Sequence, residues 1–222
     1  MKPQEKTRLN ILKQYENQLY DSGIEYICGI DEAGRGPLAG PVVVAAVIMP
    51  KTSMLEHVND SKKVTPKRRE VLYDQITNEA IAWGVGIIDH EMIDKINILE
   101  ATKLGLTTAL KSLKIKPDII LVDAVKDIDT LGIPYISIIK GHAKEYSIAC
   151  SSIIAKVTMD RIMEKFDKIY PEYGFEKHKG YGTAYHIKAL KEYGPCDIHR
   201  KSFIKHFIYF SHNILLEHSL HK

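Results

Sequence analysis

The sequence predicts an α/β fold with a mixed central β-sheet flanked by helices and a small helical appendage at the C-terminal end. Two observations carry this prediction. Short apolar runs of strand length alternate along the chain with longer stretches whose apolar residues recur at helical spacing. After Tyr170-Pro171 the composition turns to Lys, His, Tyr and Gly, which indicates the appendage. We therefore expect a main domain over 1–170 and a helical extension over 171–222, with a soft boundary.

The first two strands are predicted on either side of a cluster of Gly and Pro. Residues 26–30 form a short apolar run rich in strand formers, and residues 42–48 form another after the Gly/Pro cluster. Asp31 and Glu32 follow the first run directly. Because successive side chains of a strand face opposite ways, these two acids can share a site only if the strand ends or bulges there.

The later elements follow from the same patterns. Three stretches predict helices: one is rich in charged residues, and in the other two the pattern is helical. Three further apolar runs predict strands. The helices are expected over 66–80, 97–113 and 144–167, with a further C-terminal helix after 203, and the strands over 81–88, 119–122 and 133–139.

Composition agrees with this organisation and narrows the class of protein only slightly. The 222 residues are 45% apolar, which suits one domain with a substantial core. A net charge of +3 and a pI near 8.6 permit a nucleic-acid partner without predicting one. Three cysteines lack paired or metal-knuckle spacing, and we see no signal peptide or long apolar span. We expect a cytoplasmic monomer that does not enter a membrane.

The acidic residues suggest metal-dependent phosphodiester chemistry. Asp31 and Glu32 precede a glycine-flanked arginine, and Asp123 follows the apolar run 119–122, so it is expected to emerge at a strand end. Two divalent cations can activate water and stabilise the leaving oxygen of a phosphodiester. Hard oxygen ligands suit Mg²⁺ and Mn²⁺. Taken without further context, the Asp31-Glu32 pair and Asp123 are more simply explained as ordinary turn or loop residues.

Several motifs that occur in the order typical of one protein family favour the nuclease interpretation over ordinary turn and loop residues. From Gly29 to Phe203 the chain resembles the type 2 ribonuclease H family of bacteria, ribonuclease HII. The segments, in family order, are Asp31-Glu32-Ala33-Gly34-Arg35-Gly36-Pro37, Asn59-Asp60-Ser61-Lys62-Lys63, Ile96-Asn97-Ile98-Leu99, Leu121-Val122-Asp123, Ser147-Ile148-Ala149 with Ser152-Ile153-Ile154-Ala155-Lys156-Val157-Thr158, His178-Lys179-Gly180-Tyr181, and His199-Arg200-Lys201-Ser202-Phe203.

The resemblance implies a ribonuclease H-like fold and an endoribonuclease activity. The expected substrates are RNA–DNA hybrids and duplex DNA carrying single ribonucleotides. The RNA strand would be cut 5′ of the ribonucleotide, which leaves 3′-hydroxyl and 5′-phosphate ends. It also implies a two-metal site for Mg²⁺ or Mn²⁺ held by Asp31, Glu32 and Asp123.

The fourth ligand position departs from the family. The family normally carries Lys-Gly-Asp, or a close variant, where this chain has Lys140-Gly141-His142. We expect His142 among the metal ligands and weaker Mg²⁺ binding, because imidazole is softer than carboxylate and brings no negative charge. Divergence toward Mn²⁺, a damaged enzyme and a substitution made to trap a substrate complex all fit the sequence. Glu145 is interpreted as a first-turn helix acid rather than a replacement ligand.

Substrate recognition is predicted for the loop after Glu32. The glycines of Gly34-Arg35-Gly36 let the backbone approach a sugar closely. The 2′-hydroxyl distinguishes RNA from DNA at a single nucleotide. By resemblance, this loop recognises the ribonucleotide, and Tyr181 stacks near the following sugar.

Basic residues are the candidates for contacts with backbone phosphates. Lys62 and Lys63 follow Asn59-Asp60-Ser61 in a polar segment, although a solvated charge run is the ordinary explanation of such a pair. Four more residues extend the same predicted track: Lys177, Lys179, Arg200 and Lys201.

Two other functions remain open from the sequence. A protein that binds ribonucleotide-containing duplexes with little turnover follows if His142 has impaired metal catalysis. A resolvase or transposase would share the fold, but it should lack the pairing of Gly34-Arg35-Gly36 with Tyr181.

Overall fold

A computed structural model of the chain describes residues 1–123, 126–139, 141 and 145–207. The helices are α1 (Pro3–Leu12), α2 (Gln14–Asp21), α3 (Pro66–Glu79), α4 (His90–Lys111), α5 (Tyr146–Ile169), α6 (Phe175–His178), α7 (Ala184–Tyr193) and α8 (201–207). The strands are β1 (Ile27–Ala33), β2 (Val42–Ile48), β3 (Ala82–Ile88), β4 (Ile119–Asp123) and β5 (Tyr135–Ile138). Short 3-10 turns cover Ser61–Lys63 and Pro171–Tyr173.

The strands form one mixed five-stranded sheet in the order β3-β2-β1-β4-β5. β1 pairs antiparallel with β2, and β2 pairs antiparallel with β3. On the other side, β1 pairs parallel with β4, and β4 pairs parallel with β5. The predicted mixed sheet and the predicted pairing of the first two strands across the Gly-rich loop are both confirmed.

Helices cover both faces of the sheet at very short range. α5 packs across β1 and β2, and α4 packs across β2 and β3. Glycines on the strands permit this approach: a Cβ on Gly29 would lie 2.1 Å from the carbonyl carbon of Ser147, and one on Gly86 would lie 2.0 Å from the carbonyl oxygen of Gly105. Gly29 therefore fixes α5 against the strand that carries the first two candidate acids.

The first strand is longer than predicted. We predicted the strand from the apolar run 26–30, but β1 continues through Glu32 to Ala33, so along its pairing with β2 the strand neither ends nor bulges at Asp31. The reason is that the two neighbours of β1 stop at different points. Pairing with β2 continues to Ala33, whereas the paired register with β4 ends at Ile30 opposite Val122. Asp31 and Glu32 thus lie on a part of β1 that is still paired with β2 but has passed the end of its register with β4.

The helix predicted over 97–113 is the second half of a longer element. α4 begins at His90, and its backbone is non-helical at Asn97, where φ is 68°. The Asn97 side-chain oxygen accepts hydrogen bonds from the backbone N–H groups of Leu99 (2.9 Å) and Glu100 (3.1 Å). Asn97 therefore caps the second half of the helix, which explains why the sequence pattern began there.

The main core lies between the sheet and α5, and it also receives residues from both ends of the chain. Leu9 of α1 and Tyr173, Phe175 and Ile198 of the C-terminal segment belong to this one cluster. The division into a domain over 1–170 and an extension over 171–222 remains a prediction. Within the described ranges, no helix is long and apolar enough to cross a membrane.

Candidate active site

Three acidic residues meet at one edge of the sheet. Ile30 of β1 lies opposite Val122 of β4 in a parallel register, so the next residues along the two strands are Asp31 and Asp123. Asp31 is only 8% exposed, and Glu32 and Asp123 are half-buried. The parallel register of β1 and β4 is the reason why acids more than ninety positions apart in sequence arrive at one place.

Burial and neighbouring negative charges raise the pKa values of Asp31 and Glu32. Burial raises the pKa of Asp31 well above its ordinary value, and the charges of Glu32 and Asp123 raise it further. The pKa of Glu32 is also raised by burial and by Asp123, although the neighbouring Arg35 guanidinium opposes this rise. Buried like charges are unfavourable in the apo protein, and a bound cation would relieve that repulsion.

Hydrogen bonds fix the orientation of these acids. The backbone N–H of Glu32 donates to Asp31 Oδ1 (2.8 Å), and the backbone N–H of Gly141 donates to Asp123 Oδ1 (2.9 Å). Arg35 Nη1 lies 3.3 Å from Glu32 Oε1. Gly141 also sits close to β4, since a Cβ on it would lie 3.6 Å from Asp123 Cα and 2.5 Å from a side-chain carbon of Ile148.

The predicted fourth ligand, His142, lies outside the described residues. Among the residues that the structure describes, no group of three His, Cys, Asp or Glu side chains is arranged as a complete metal-binding set. The charges of Asp31, Glu32 and Asp123 nevertheless act on one another, so the three carboxylates belong to one electrostatic site.

A cavity of about 460 Å³ adjoins the acids and brings most of the predicted substrate-binding residues together. Glu32 lies in its wall beside the glycine-flanked arginine, and the 3-10 turn and the segment after α6 supply other parts of the lining. The lining residues are Glu32, Ala33, Gly34, Arg35, Gly36, Ser61, Lys62, Lys156 and Tyr181. The positive charge of Lys62 partly opposes the rise in the pKa values of Asp31 and Glu32 that burial causes.

The two lysines of the 3-10 turn line different cavities. Lys62 lines the cavity beside the acids, whereas Lys63 lines a second cavity of about 370 Å³ together with Arg8, His57 and Arg68. A shared role for Lys62 and Lys63 at one phosphate is therefore not supported by their placement.

The glycine-flanked arginine lies in a constrained loop. Gly34 has φ +97°, and a Cβ there would lie 2.6 Å from the carbonyl oxygen of Pro41. A Cβ on Gly36 would lie 3.4 Å from the Tyr181 ring, and that tyrosine is 44% exposed. The loop and the tyrosine segment are joined by a hydrogen bond from the Leu38 N–H to the Gly180 carbonyl (2.8 Å). Position 34 requires glycine, because residues with a side chain rarely adopt this value of φ.

One predicted phosphate contact is wrong. Arg200 is completely buried, and its guanidinium donates to backbone carbonyls rather than facing solvent. Sequence reasoning missed this role because an arginine beside Lys201 has the same pattern as a surface basic pair. Lys179, another member of the predicted track, is paired with Glu164 (2.6 Å).

Lys156 is a site residue to which the sequence analysis assigned no role. It extends from α5 into the cavity wall, and its Nζ lies 2.6 Å from Asp160 Oδ1. The sequence feature that could have identified Lys156 is its spacing of four residues from Asp160 on a predicted helix, which favours an ion pair. Asp160 also lies 3.6 Å from Arg69, so it is held within an ion-pair cluster on α5.

The fold and the acidic edge of the sheet define a ribonuclease H-like nuclease, and solved structures agree. The ribonuclease H2 from Pyrococcus horikoshii matches with a TM-score of 0.72 and 29% identity, over 84% of this chain and 99% of that one. The ribonuclease HII in a complex with PCNA from Archaeoglobus fulgidus matches with a TM-score of 0.68 and 28% identity, over 81% of this chain and 94% of that one.

Sequence comparison identifies the family. The ribonuclease HII family model matches residues 28–206. A ribonuclease HII from Acetivibrio thermocellus is 56% identical over 194 residues, which is 87% of this chain and 75% of the relative. Another, from Caldicellulosiruptor saccharolyticus, is 52% identical over 195 residues, or 88% of this chain and 95% of the relative. The chain belongs to the ribonuclease HII family, the type 2 ribonuclease H endonucleases.

Proposed function

We propose that this protein is a metal-dependent endonuclease that cuts the RNA strand of RNA–DNA hybrids and single ribonucleotides embedded in duplex DNA. Cleavage would fall 5′ of the ribonucleotide and leave 3′-hydroxyl and 5′-phosphate ends. The observation that carries the proposal is the position of Asp31, Glu32 and Asp123 beside the cavity that holds Gly34-Arg35-Gly36 and Tyr181.

The residues present fit a pair of hard divalent cations. Asp31, Glu32 and Asp123 supply oxygen ligands, and their mutual repulsion is the electrostatic condition that cation binding relieves. We propose His142 as the remaining ligand. When bound, Mg²⁺ or Mn²⁺ would supply Lewis-acid activation of water and stabilisation of the leaving oxygen.

Other residues would bind and orient the substrate strand. The backbone of Gly36 is open to a sugar, because no side chain of this residue stands between its peptide groups and the cavity, and Gly34 lines the same cavity. We assign contact with the 2′-hydroxyl to this loop. Tyr181 would stack against the sugar that follows, and Lys62 would act on a phosphate as a point charge.

Arg35 and Lys62 would also hold the acids ready for metal binding. Both side chains oppose the rise in the pKa of Glu32, so they favour its ionised form. Ionised carboxylates are the form that binds a hard cation. The two basic residues thereby contribute to the same step as the acids, although neither would touch the metal.

A second candidate function is a binder of ribonucleotide-containing duplexes with little turnover. The observation that favours it is His142 at the position where the family normally has an aspartate. In that case the substrate-reading cavity would retain its affinity, while cation binding would be too weak to support cleavage in Mg²⁺.

The deciding experiment compares four substrates and three proteins. The substrates are duplex DNA with one ribonucleotide, an RNA–DNA hybrid, duplex DNA without ribonucleotides and branched DNA. The wild-type protein, His142→Asp and Asp123→Asn are assayed in Mg²⁺ and separately in Mn²⁺. Cleavage of the first two substrates by wild type, lost in Asp123→Asn, supports the proposed activity.

The other outcomes separate the alternatives. If only His142→Asp cleaves while wild type binds the same duplex, the protein is the impaired binder. If neither version cleaves the ribonucleotide substrates, the proposed activity is wrong. Cleavage of branched DNA in their place would assign the protein to the resolvase or transposase type of activity. Monomeric state and cytoplasmic location remain predictions.

A further inference from the structure

A buried arginine holds the predicted ribose-reading loop from behind. Arg200 is 0% exposed. Its Nη2 donates to the carbonyls of Gly34 (2.6 Å) and Pro41 (2.9 Å), its Nη1 to that of Arg35 (3.1 Å), and its Nε to that of Gly40 (2.9 Å). One side chain therefore joins both ends of the loop that connects β1 and β2.

The same arginine ties the loop to the C-terminal segment through its backbone. The Arg200 N–H donates to the Leu38 carbonyl (2.8 Å), and the Gly40 N–H donates to the Ile198 carbonyl (2.9 Å). Burying a guanidinium is costly, and here it lowers the pKa of Arg200 to about 10. The cost is offset only if the planar fork of donors meets several carbonyls at once, which lysine cannot do with a single ammonium.

A chain of histidines holds the segment that carries Tyr181. The Cys196 N–H donates to His199 Nδ1 (3.0 Å), so His199 carries its proton on Nε2 and donates it to His186 Nε2 (3.0 Å). His186 must then carry its own proton on Nδ1, which donates to the Tyr181 carbonyl (3.0 Å). The hydrogen bonds run in one direction from Cys196 to the backbone of Tyr181.

A third histidine completes the support of this segment. The Gly180 N–H donates to His178 Nδ1 (3.2 Å), and His178 Nε2 donates to the Tyr173 carbonyl (2.7 Å). The rings of His178 and His186 stack with their centroids 4.6 Å apart. The backbone on both sides of the Gly180–Tyr181 peptide is thus fixed by side chains that never enter the cavity.

We propose that Arg200 and His186 are positioning residues that set the spacing between the Gly34-Arg35-Gly36 backbone and Tyr181, and thereby determine discrimination of ribose from deoxyribose. This inference rests on the proposed function. Arg200 fixes one wall of the sugar site and His186 fixes the other. Because a 2′-hydroxyl is recognised by a few directed hydrogen bonds, a small displacement of either wall removes discrimination without removing contacts to phosphates.

The test measures binding rather than turnover. Dissociation constants are determined for two duplexes of the same sequence, one with a single ribonucleotide and one entirely of DNA, with Ca²⁺ as the divalent ion and the strands checked to be intact. Wild type should prefer the ribonucleotide duplex by about tenfold, which is the value of one good directed hydrogen bond. Arg200→Lys should reduce the preference to about twofold or less, with unchanged affinity for the DNA duplex.

A matched control is an arginine that pairs on the surface of the protein. Arg161 of α5 forms an ion pair with Glu70, and neither residue lines the cavity. Arg161→Lys should retain the full preference. If Arg200→Lys keeps the wild-type preference, or if it loses affinity for both duplexes in equal proportion, the inference is overturned.

A second variant is available if Arg200→Lys does not fold. His186→Phe keeps an aromatic ring in the same space but removes the donor to the Tyr181 carbonyl, and it should also reduce the preference to about twofold or less. A folded His186→Phe protein with the wild-type preference contradicts the inference. If the proposed function itself is wrong, wild type will show no preference for the ribonucleotide duplex. This result is distinct from a failure of the present inference, in which wild type and the variants share the same preference.

Discussion

The buried histidine His199 should make the protein lose stability in mild acid. Its side chain is 1% exposed, and burial lowers its pKa to about 4, with further lowering by the charges of His186 and His90. In the unfolded chain the same imidazole titrates near its ordinary pKa of about 6.5. Between these two values the unfolded chain binds a proton that the folded protein excludes, so the folded state loses free energy as the pH falls.

The expected size of the effect follows from the two pKa values. Moving from pH 7.5 to pH 5.0 crosses most of the window above the folded pKa of about 4. Integrated over that range, the difference in proton binding amounts to about 2 kcal/mol of lost unfolding free energy. The loss continues to grow until the pH reaches the folded pKa, where the folded protein also begins to bind the proton.

Urea unfolding at the two pH values measures this loss. His199→Asn supplies the matched variant, because an amide oxygen can accept the Cys196 N–H in place of Nδ1 but does not titrate. Wild type should lose about 2 kcal/mol more than this variant between pH 7.5 and pH 5.0. An Asn substitution at the exposed His206 is the control and should follow the wild-type curve. Equal losses in wild type and His199→Asn would refute the reasoning.

Three further predictions concern the acids and the close packing of β1. Asp31→Asn should raise the metal-free unfolding free energy by about 1 kcal/mol, because it relieves repulsion from Glu32 and Asp123, and should abolish cleavage; chemical denaturation and a cleavage assay test both parts. Gly29→Ala should cost about 3 kcal/mol or prevent folding, since its Cβ would lie 2.1 Å from the Ser147 carbonyl carbon; a normal thermal transition would contradict this. Adding Mn²⁺ should raise the melting temperature of wild type but much less that of Asp31→Asn, and EDTA should reverse the shift.

The elements that the sequence predicted accurately have strong and local patterns. β2 was predicted over its full observed range because seven apolar residues follow a Gly/Pro cluster. α3 and β3 were placed within one residue for similar reasons. The two N-terminal helices were not predicted, and for α1 the reason is that it buries only Leu9 and Leu12 and shows no apolar stripe. Their position depends on distant contacts, such as the Lys13 ammonium donating to the Ser53 carbonyl (2.7 Å).

The residues of the candidate site likewise include some that the sequence predicts and others that only the structure reveals. The sequence placed Asp123 at a strand end, and the family resemblance grouped it with Asp31 and Glu32; their relation through the parallel register of β1 and β4 became clear only in the structure. No such relation connects Arg200 with Gly34, which lie far apart in the chain and meet only when the C-terminal segment folds against the loop. The sequence also cannot distinguish a buried guanidinium from an exposed one, since the adjacent residues His199 and Lys201 fit either environment.

The unfavourable features of the molecule are concentrated at the β1–β2 hairpin, and its packing explains how they are tolerated. Asp31 is a buried acid beside other acids, Gly34 has a positive φ, and Arg200 places a guanidinium behind the loop. The buried acid and the buried guanidinium each cost free energy, whereas glycine adopts the positive φ at position 34 readily. These groups are attached to closely packed strands, because every residue of β2 is buried and β1 lies directly against α5. A rigid support of this kind can hold charged groups in place before a ligand binds, which is the condition for reading a single hydroxyl group.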